Sequence, residues 1–460
     1  MFALFQNLAI SDVMKPRSRT DAAQLDLFKA QFSQILNPDH PLLILAEKID
    51  WKRFDVALAD CFCPDFGAPA LSTRLMVGLL YLKHAFNESD ESLLERWVEN
   101  PYWQAFCGFT TMQHEVPIHP TSLVKWRQRV GADKLAELLK ETLALAVREQ
   151  EVTPGELQQV NVDTTVQEKN ITHPTDSKLL HRAIEKVVAA ARKRGITLRQ
   201  SYKRKAKTAA MMAGRYAHAR QFKRMRRELR KLKTWLGRVL RDVGRKIPRP
   251  DEPLQKLFTL CQRVHAQEPT DTGKLYSLHE PDVVCISKGK AHKRYEFGQK
   301  VALATSNRGN WIVGVQVCAG GPYDGHTLTS TLEHVEATIG LPVKAAFVDK
   351  GYRGHGYEGS ATIHVSGSSS RHLSRTVKKR RKRRSAIEPK IGHLKQDHRM
   401  GHCFLRGLHG DAINAVLAAA GSNLRKLLGR LFLVIALTLW CEITRRLGNQ
   451  KRLAASLAPA

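Results

Sequence analysis

The chain is short of acid. Its 460 residues carry 43 Asp and Glu against 74 Lys and Arg, a formal charge of +31. Such a field repels basic partners and concentrates polyanions, nucleic acid foremost; a ribosomal-type or merely solvated basic surface is the blander reading. Paired cysteines are lacking too. Eight thiols are scattered at 61, 63, 107, 261, 285, 318, 403 and 441 with no CxxC pair and no Cys/His ladder. That argues against a zinc site or a disulfide framework and for reduced thiols in the cytosol. The first twenty residues, MFALFQNLAISDVMKPRSRT, lack the basic n-region and long apolar h-region of a signal peptide. The apolar run at 431–441, LFLVIALTLWC, falls well short of the roughly 20 residues that span a bilayer. It reads as a buried or partner-facing helix, with no membrane implied. What is present is ordinary for a globular protein: 43% hydrophobic and 25% charged residues, in a length suited to two to four domains.

Hydrophobic periodicity divides the chain. Residues 1–45 carry weak signals and read as an arm. From 46 to 150 the pattern is helical. LSTRLMVGLLYLKHAF follows a Ser72 cap, SDESLLERWVEN ends against Pro101, and TSLVKWRQRVG after Pro120 presents Lys125, Arg127 and Arg129. Short helices with a basic last member suit a domain that binds DNA ends, or a plain helical scaffold. Near Pro154 the period changes. QQVNVDTTV (158–166) has strand character, as do segments at 282–289, 300–307, 311–320, 344–351 and 361–367, with a helix expected over 327–340. Strands alternating with helices predict an α/β layer over 155–179 and 272–410, followed by C-terminal helices over 411–460.

The positive charge is not spread evenly. Residues 180–246 hold 23 Lys/Arg against 3 acids, including Lys203, Arg204, Lys205 and Lys207, and the 371–384 run holds nine basic residues and no acid. These two segments supply +29 of the +31, as expected for grooves that follow a nucleic-acid backbone. The first splits the α/β layer as an inserted basic helical hairpin, 180–250. Its apolar residues at 222, 225, 229, 232, 236, 239 and 243 form a coiled-coil seam that pairs within or between chains.

Glu388 is a lone acid just beyond the second basic run, and an acid there opposes phosphate binding unless it holds a cation. Asp163 lies within the first strand and Asp349 at the end of AAFVD. Three converging carboxylates repel unless cations sit between them. Hard oxygen ligands select Mg²⁺, with Mn²⁺ able to substitute. Two such ions are what phosphodiester cleavage uses to polarise water and steady a leaving oxygen. Asp324 and His326 in PYDGHTL read as a helix cap or an active-site contact, and Lys288, Lys290 and Lys293 as phosphate neighbours or a solvated hairpin. Ser385 and Glu388 form an S-x-x-E capping box that would start a helix at Ser385.

Taken together, VNVDTTVQEKNITHPTDS, SLHEPDVVCISKGKAHKRYEFGQKVALATS, PYDGHTL, FVDKGYRGH and RRSAIEPKIGHLKQDHRMG resemble, in order, bacterial insertion-sequence transposases of the IS5 type. The resemblance runs over roughly residues 45–430. It implies a ribonuclease-H-like mixed sheet with flanking helices and an aspartate–aspartate–glutamate triad, which falls on Asp163, Asp349 and Glu388 as catalytic metal ligands. Arg384 and Lys395 match the family's basic positions around that glutamate, while Arg381 stands where the family has tyrosine. Lys350 and Tyr352, next to the second aspartate, are further candidate DNA contacts.

The activity implied is cleavage at terminal inverted repeats by metal-activated water and joining of the 3′-OH to target DNA. A homodimer or higher assembly acting on the nucleoid in the bacterial cytoplasm is implied with it. A ribonuclease-H-like nuclease without strand transfer, or an inactive DNA-binding regulator, are the alternatives.

Overall fold

The computed structural model describes residues 13–14, 30–63, 68–287, 294–367 and 372–456. Most of the expected arm, Lys288, Lys290, Lys293 and Arg371 lie outside the described residues.

The N-terminal part is helical: α1 Pro41–Lys48, α2 Trp51–Ala57, α3 Thr73–Ala85, α4 Asp90–Glu99, α5 Pro101–Phe106 and α6 Pro120–Arg148. Local chemistry sets these boundaries. Asp50, Ser89, Asn100 and His119 each accept a backbone N–H of the helix they begin, satisfying donors left without partners in the first turn. The α3 helix is buried along almost its whole length, so the others pack around it. The α6 helix continues well past the expected TSLVKWRQRVG segment and bends at Gly131, whose φ of +80° favours a residue without Cβ.

One expected DNA contact falls inside this core. Arg127 is 1% exposed and donates to both carboxylate oxygens of Asp90, at 2.8 and 2.6 Å. The helical period that exposes Lys125 turns Arg127 inward, where it neutralises an acid on α4. Lys83 donates to the same carboxylate at 2.6 Å.

A seven-stranded mixed sheet follows: β1 Gln159–Lys169, β2 Val284–Ser287, β3 Tyr295–Ser306, β4 Ile312–Cys318, β5 Ala345–Val348, β6 Thr362–Val365 and β7 His402–Cys403. The order is β2-β3-β1-β5-β6, with β4 also on β3 and β7 also on β1. β1 is central, antiparallel to β3 and parallel to β5. The protein is thus α/β, a mixed sheet with flanking helices, as the pattern predicts. Helix α11, Leu328–Ile339, crosses from β4 to β5.

Between β1 and β2 the chain leaves the sheet for four helices, α7 Asp176–Lys193, α8 Lys203–His218, α9 Phe222–Lys246 and α10 Glu252–Ala266. They enclose a core of their own, with Ile184, Val187, Leu232, Leu236, Val239, Val243 and Phe258 buried. Within the chain the seam packs from Leu229 onward. Phe222 is 51% exposed, and Met225 and Leu229 are half-buried.

The last helix, α14 Gly407–Ser456, is long. Its first half belongs to the main core through Ile413, Leu417, Leu424 and Leu428. Buried polar groups secure it. Asn423 donates to the Ile312 carbonyl and accepts its N–H, at 2.9 and 3.1 Å, closing the start of β4. Lys169 at the end of β1 meets Asp411 at 2.9 Å and Glu280 at 3.4 Å, all three enclosed. Beyond Leu431 the helix leaves the core. Phe432, Leu433, Val434, Leu437 and Trp440 are exposed, so the 431–441 run is not buried within the chain. Among the described residues no helix is long and apolar enough to cross a membrane.

Removing Arg127 leaves a largely covered acid with Lys83 as its one remaining ion-pair partner among the described residues. Burial raises the Asp90 carboxyl, but Arg127 and Lys83 outweigh it and hold the group well below the usual carboxylate range. A carboxyl depressed in the folded state stabilises above its unfolded value near 4, and that stability is lost as pH falls through the folded value. Arg127→Met is expected to cost about 3–5 kcal/mol in urea unfolding at neutral pH, with the difference from wild type shrinking below about pH 4 as Asp90 protonates. A loss under about 1 kcal/mol would place Asp90 in water.

Candidate active site

One aspartate lies midway along the central strand and another just past the end of its neighbour. β1 and β5 pair in parallel with Gln159 opposite Ala345 and Asn161 opposite Phe347. Continuing that register brings Asp349 level with Asp163, on strands about 4.8 Å apart with side chains on one face. Each carboxylate is oriented by a backbone amide. Thr164 N–H donates to Asp163 Oδ1 at 2.8 Å, and Gly351 N–H donates to Asp349 Oδ1 at 2.8 Å.

A third aspartate joins them. Asp324 Oδ1 accepts from Thr164 Oγ1 at 2.8 Å and from Lys300 Nζ at 2.9 Å. A Cβ on Gly351 would lie 3.0 Å from Asp349 Oδ1 and 3.4 Å from Asp324 Oδ2, so the glycine lets the two carboxylates approach. Asp324 is thus a neighbour of the site rather than only a helix cap, while His326 is exposed beside Tyr323.

Glu388 arrives from the far end of the basic run. Helix α12, Arg375–Lys382, gives way to a 3-10 turn at Arg383–Ala386, then to α13, Ile387–Asp397. The expected capping box does not form. Ser385 Oγ donates to the Lys382 carbonyl instead, and α13 begins at Ile387. Pro389 sits in its first turn, where a missing N–H costs no helical hydrogen bond.

Neutral amides fasten this stretch to the sheet. Asn307 Nδ2 donates to the Arg380 carbonyl at 2.9 Å and to Asn161 Oδ1 at 2.6 Å, and Asn310 Nδ2 donates to the Ala386 carbonyl at 2.9 Å. Nothing in the spacing of these asparagines marks them, because their partners are carbonyls more than seventy residues away.

The fastening places Arg384 between two of the acids. Its Nη2 donates to Glu388 Oε1 at 3.0 Å, and its Nη1 lies 3.6 Å from Asp163 Oδ2. The guanidinium is largely covered, whereas Glu388 is exposed over 61% of its side chain. Nη1 is buried without a hydrogen-bond partner, leaving a donor toward an arriving oxygen.

The other expected residues divide by burial. Lys203, Arg204, Lys205 and Lys207 are exposed on α8, as are Lys125 and Lys350. Lys395 is half-buried, seven residues after Glu388 and on the same face of α13. Tyr352 is not at the surface. It is fully buried beneath the site, and burial first, then the charges of Asp163, Asp324 and Asp349, raises its phenol far above the ordinary range. It supports the aspartates from below and cannot touch DNA.

Among the described residues no three His, Cys, Asp or Glu side chains already converge on one metal-sized point. The donors nonetheless suit a hard divalent cation: all are carboxylate oxygens, and Arg384 already occupies the space between Asp163 and Glu388 with positive charge.

Comparison with known proteins adds independent findings. Residues 30–129 match the family described as Transposase domain (DUF772), and residues 345–428 match the Transposase DDE domain. The second stretch contains Asp349 and Glu388; Asp163 lies outside both. Over 209 residues the chain is 52% identical to "Uncharacterized protein ORF8 in nfe locus" of Rhizobium meliloti, covering 45% of this chain and all of that protein. No solved structure matches.

Because Tyr352 is enclosed, Tyr352→Phe is expected to leave duplex-DNA affinity and its salt dependence unchanged in a filter-binding titration. A weakened affinity in the folded variant would bring the hydroxyl to the DNA surface.

Proposed function

We propose that this chain, whose residues 30–129 and 345–428 match transposase family models, is a DDE-type transposase that cuts DNA at terminal inverted repeats and joins the freed 3′-OH to target DNA. Asp163, Asp349 and Glu388 are the metal ligands in this reading. The single observation that carries it is Arg384 standing between Asp163 and Glu388, with Asp349 level with Asp163 across the sheet. Asp163 and Glu388, more than two hundred residues apart in sequence, share one guanidinium, which supports reading them as partners at a cation site.

Bound Mg²⁺ or Mn²⁺, two ions in the full site, would polarise the attacking water and steady the leaving oxygen. The chain's own groups do the remaining work. Thr164 and Gly351 amides aim the aspartates, and the Lys300–Asp324 pair limits repulsion beside them. Arg384, Lys395 and Lys350 hold scissile-strand phosphate as charge-assisted donors. Hydrolysis and joining are both in-line displacements at phosphorus, so one site serves both.

The exposed cations of α8 and Lys125 grip the duplex backbone away from the cut. Membership of the IS5 group rests on the order of the motifs, action on the nucleoid on the charge, and assembly as a dimer or larger complex on the need to hold two DNA ends.

Glu388→Gln keeps size and removes charge. The variant is expected to fold and to bind duplex DNA equally or slightly more tightly, since one acid no longer opposes phosphate. Nicking and joining of a labelled duplex bearing the element's own ends, with Mg²⁺ or Mn²⁺, are expected to fall together by about a thousandfold or more. Asp163→Asn and Asp349→Asn should match it, and double variants should be little worse than single ones. A folded Glu388→Gln protein that nicks at the wild-type rate removes Glu388 from the site. Nicking without any joined product would leave a nuclease.

A further inference from the structure

Helix α13 has a second functional face. Its buried face carries Ile387 and Leu394, and Glu388 and Lys390, two residues and about 200° apart round the helix, flank that face on opposite sides. On the Lys390 side lies a cavity of about 490 Å³, lined by Lys390 and His393 of α13, Asn87 from the turn after α3, and Ser422, Arg425 and Lys426 of α14.

Its charges are not used up by acids. Asp397, which also lines the cavity, is engaged by His393 Nδ1 at 2.7 Å, and Glu151 is engaged by Arg430. Arg425 stacks 4.8 Å above the Phe86 ring, and Lys426 lies 4.2 Å from the centre of the Trp311 ring while donating to the Gly309 carbonyl.

Two donors have no partner among the described residues. Ser422 is 2% exposed, and its buried Oγ makes no hydrogen bond. Lys390, half-buried at the cavity wall, makes neither a hydrogen bond nor an ion pair among the described residues. A buried donor left unsatisfied is costly, so the Ser422 hydroxyl beside unpaired positive charge calls for a ligand that satisfies both. The Lys426 ammonium is pushed down to about 7, by burial first and then by the charge of Lys390, a strain that an anion between the two would relieve.

We propose that this cavity is a phosphate-binding site, taking a tetrahedral oxyanion on Lys390, Ser422, Lys426 and Arg425. Donors arriving from two helices suit an anion with oxygens on several sides, and the guanidinium and ammonium groups supply charge-assisted bonds. The source consistent with a chain of +31 is a backbone phosphate of duplex DNA, which would be held on the side of α13 opposite the acids. A free phosphate ion has the same chemistry. The site does not depend on cleavage, so its test stands apart from that of the triad.

The full-length protein serves for the test. Thermal melting is followed in sodium phosphate against sodium chloride at equal ionic strength, and duplex binding is followed from about 50 to 200 mM salt. Phosphate is expected to raise the wild-type melting temperature more than chloride does. Lys390→Gln should abolish that difference, Lys390→Arg should restore it, and Ser422→Ala should reduce it. With a backbone phosphate as ligand, Lys390→Gln also lowers the log–log salt slope of duplex binding by about 0.9, while Ser422→Ala, which carries no charge, leaves it unchanged. A lost phosphate response with an unaltered slope assigns the site to free phosphate. The proposal is overturned if phosphate stabilises the wild type no more than chloride does and the slope of Lys390→Gln is that of the wild type.

Discussion

A single guanidinium holds the acids of this protein together. Arg384 reaches Asp163 on the central strand and Glu388 on the first turn of α13. Without a cation between them, those carboxylates would push the helix away from the sheet. Its position is the result of two opposed demands. The 371–384 run is basic for phosphate, and an acid beside it is tolerable only where a positive charge is shared. The acid-poor sequence thus places Glu388 where its own neighbour, four residues earlier, can neutralise it until another cation does.

The rest of the fold acts to keep that neighbour in register. Asn161, Asn307 and Asn310 take carbonyls of the basic stretch and carbonyls only, so they fix the backbone without consuming charge. At the other end of α13, His84 and His398 each use Nδ1 to meet the other's carbonyl, at 3.2 and 2.8 Å. Both rings are buried, and burial holds His398 down to about 4, so the pair stays neutral through the physiological range. Helix α13 is therefore tied to the sheet at its start and to the N-terminal helices at its end.

The strand and helix pattern was readable because it follows local rules. β1, β3 and β4 are runs of branched residues with both faces covered, and α11 carries its own period. The order of motifs points to the three acids as candidates, and the β1–β5 register, carried two residues past its last pair, sets Asp349 opposite Asp163. What the sequence concealed is non-local. Arg127 and Lys125 look alike in a basic helix, and only the packing of α4 shows that Arg127 serves Asp90. Tyr352 follows Asp349 closely enough to suggest a surface contact, yet the 3-10 turn at Lys350–Tyr352 sends it beneath the aspartates. The capping box failed because α12 runs on into a 3-10 turn, leaving Ser385 no free helix end to cap. Asp324 became part of the site only through Thr164, on a strand more than 150 residues earlier.

Metal binding, read without catalysis, tests the central claim most directly. Free Mn²⁺ is followed by its electron paramagnetic resonance signal as full-length protein is added. The acids as a cation site, with Arg384 as the charge that keeps their place, predict that wild type depletes the signal and that Asp163→Asn, Asp349→Asn and Glu388→Gln do so much less. Arg384→Ala, freed of the competing guanidinium, should bind Mn²⁺ more tightly than wild type. Equal Mn²⁺ affinity in the wild type and all four variants would contradict the account.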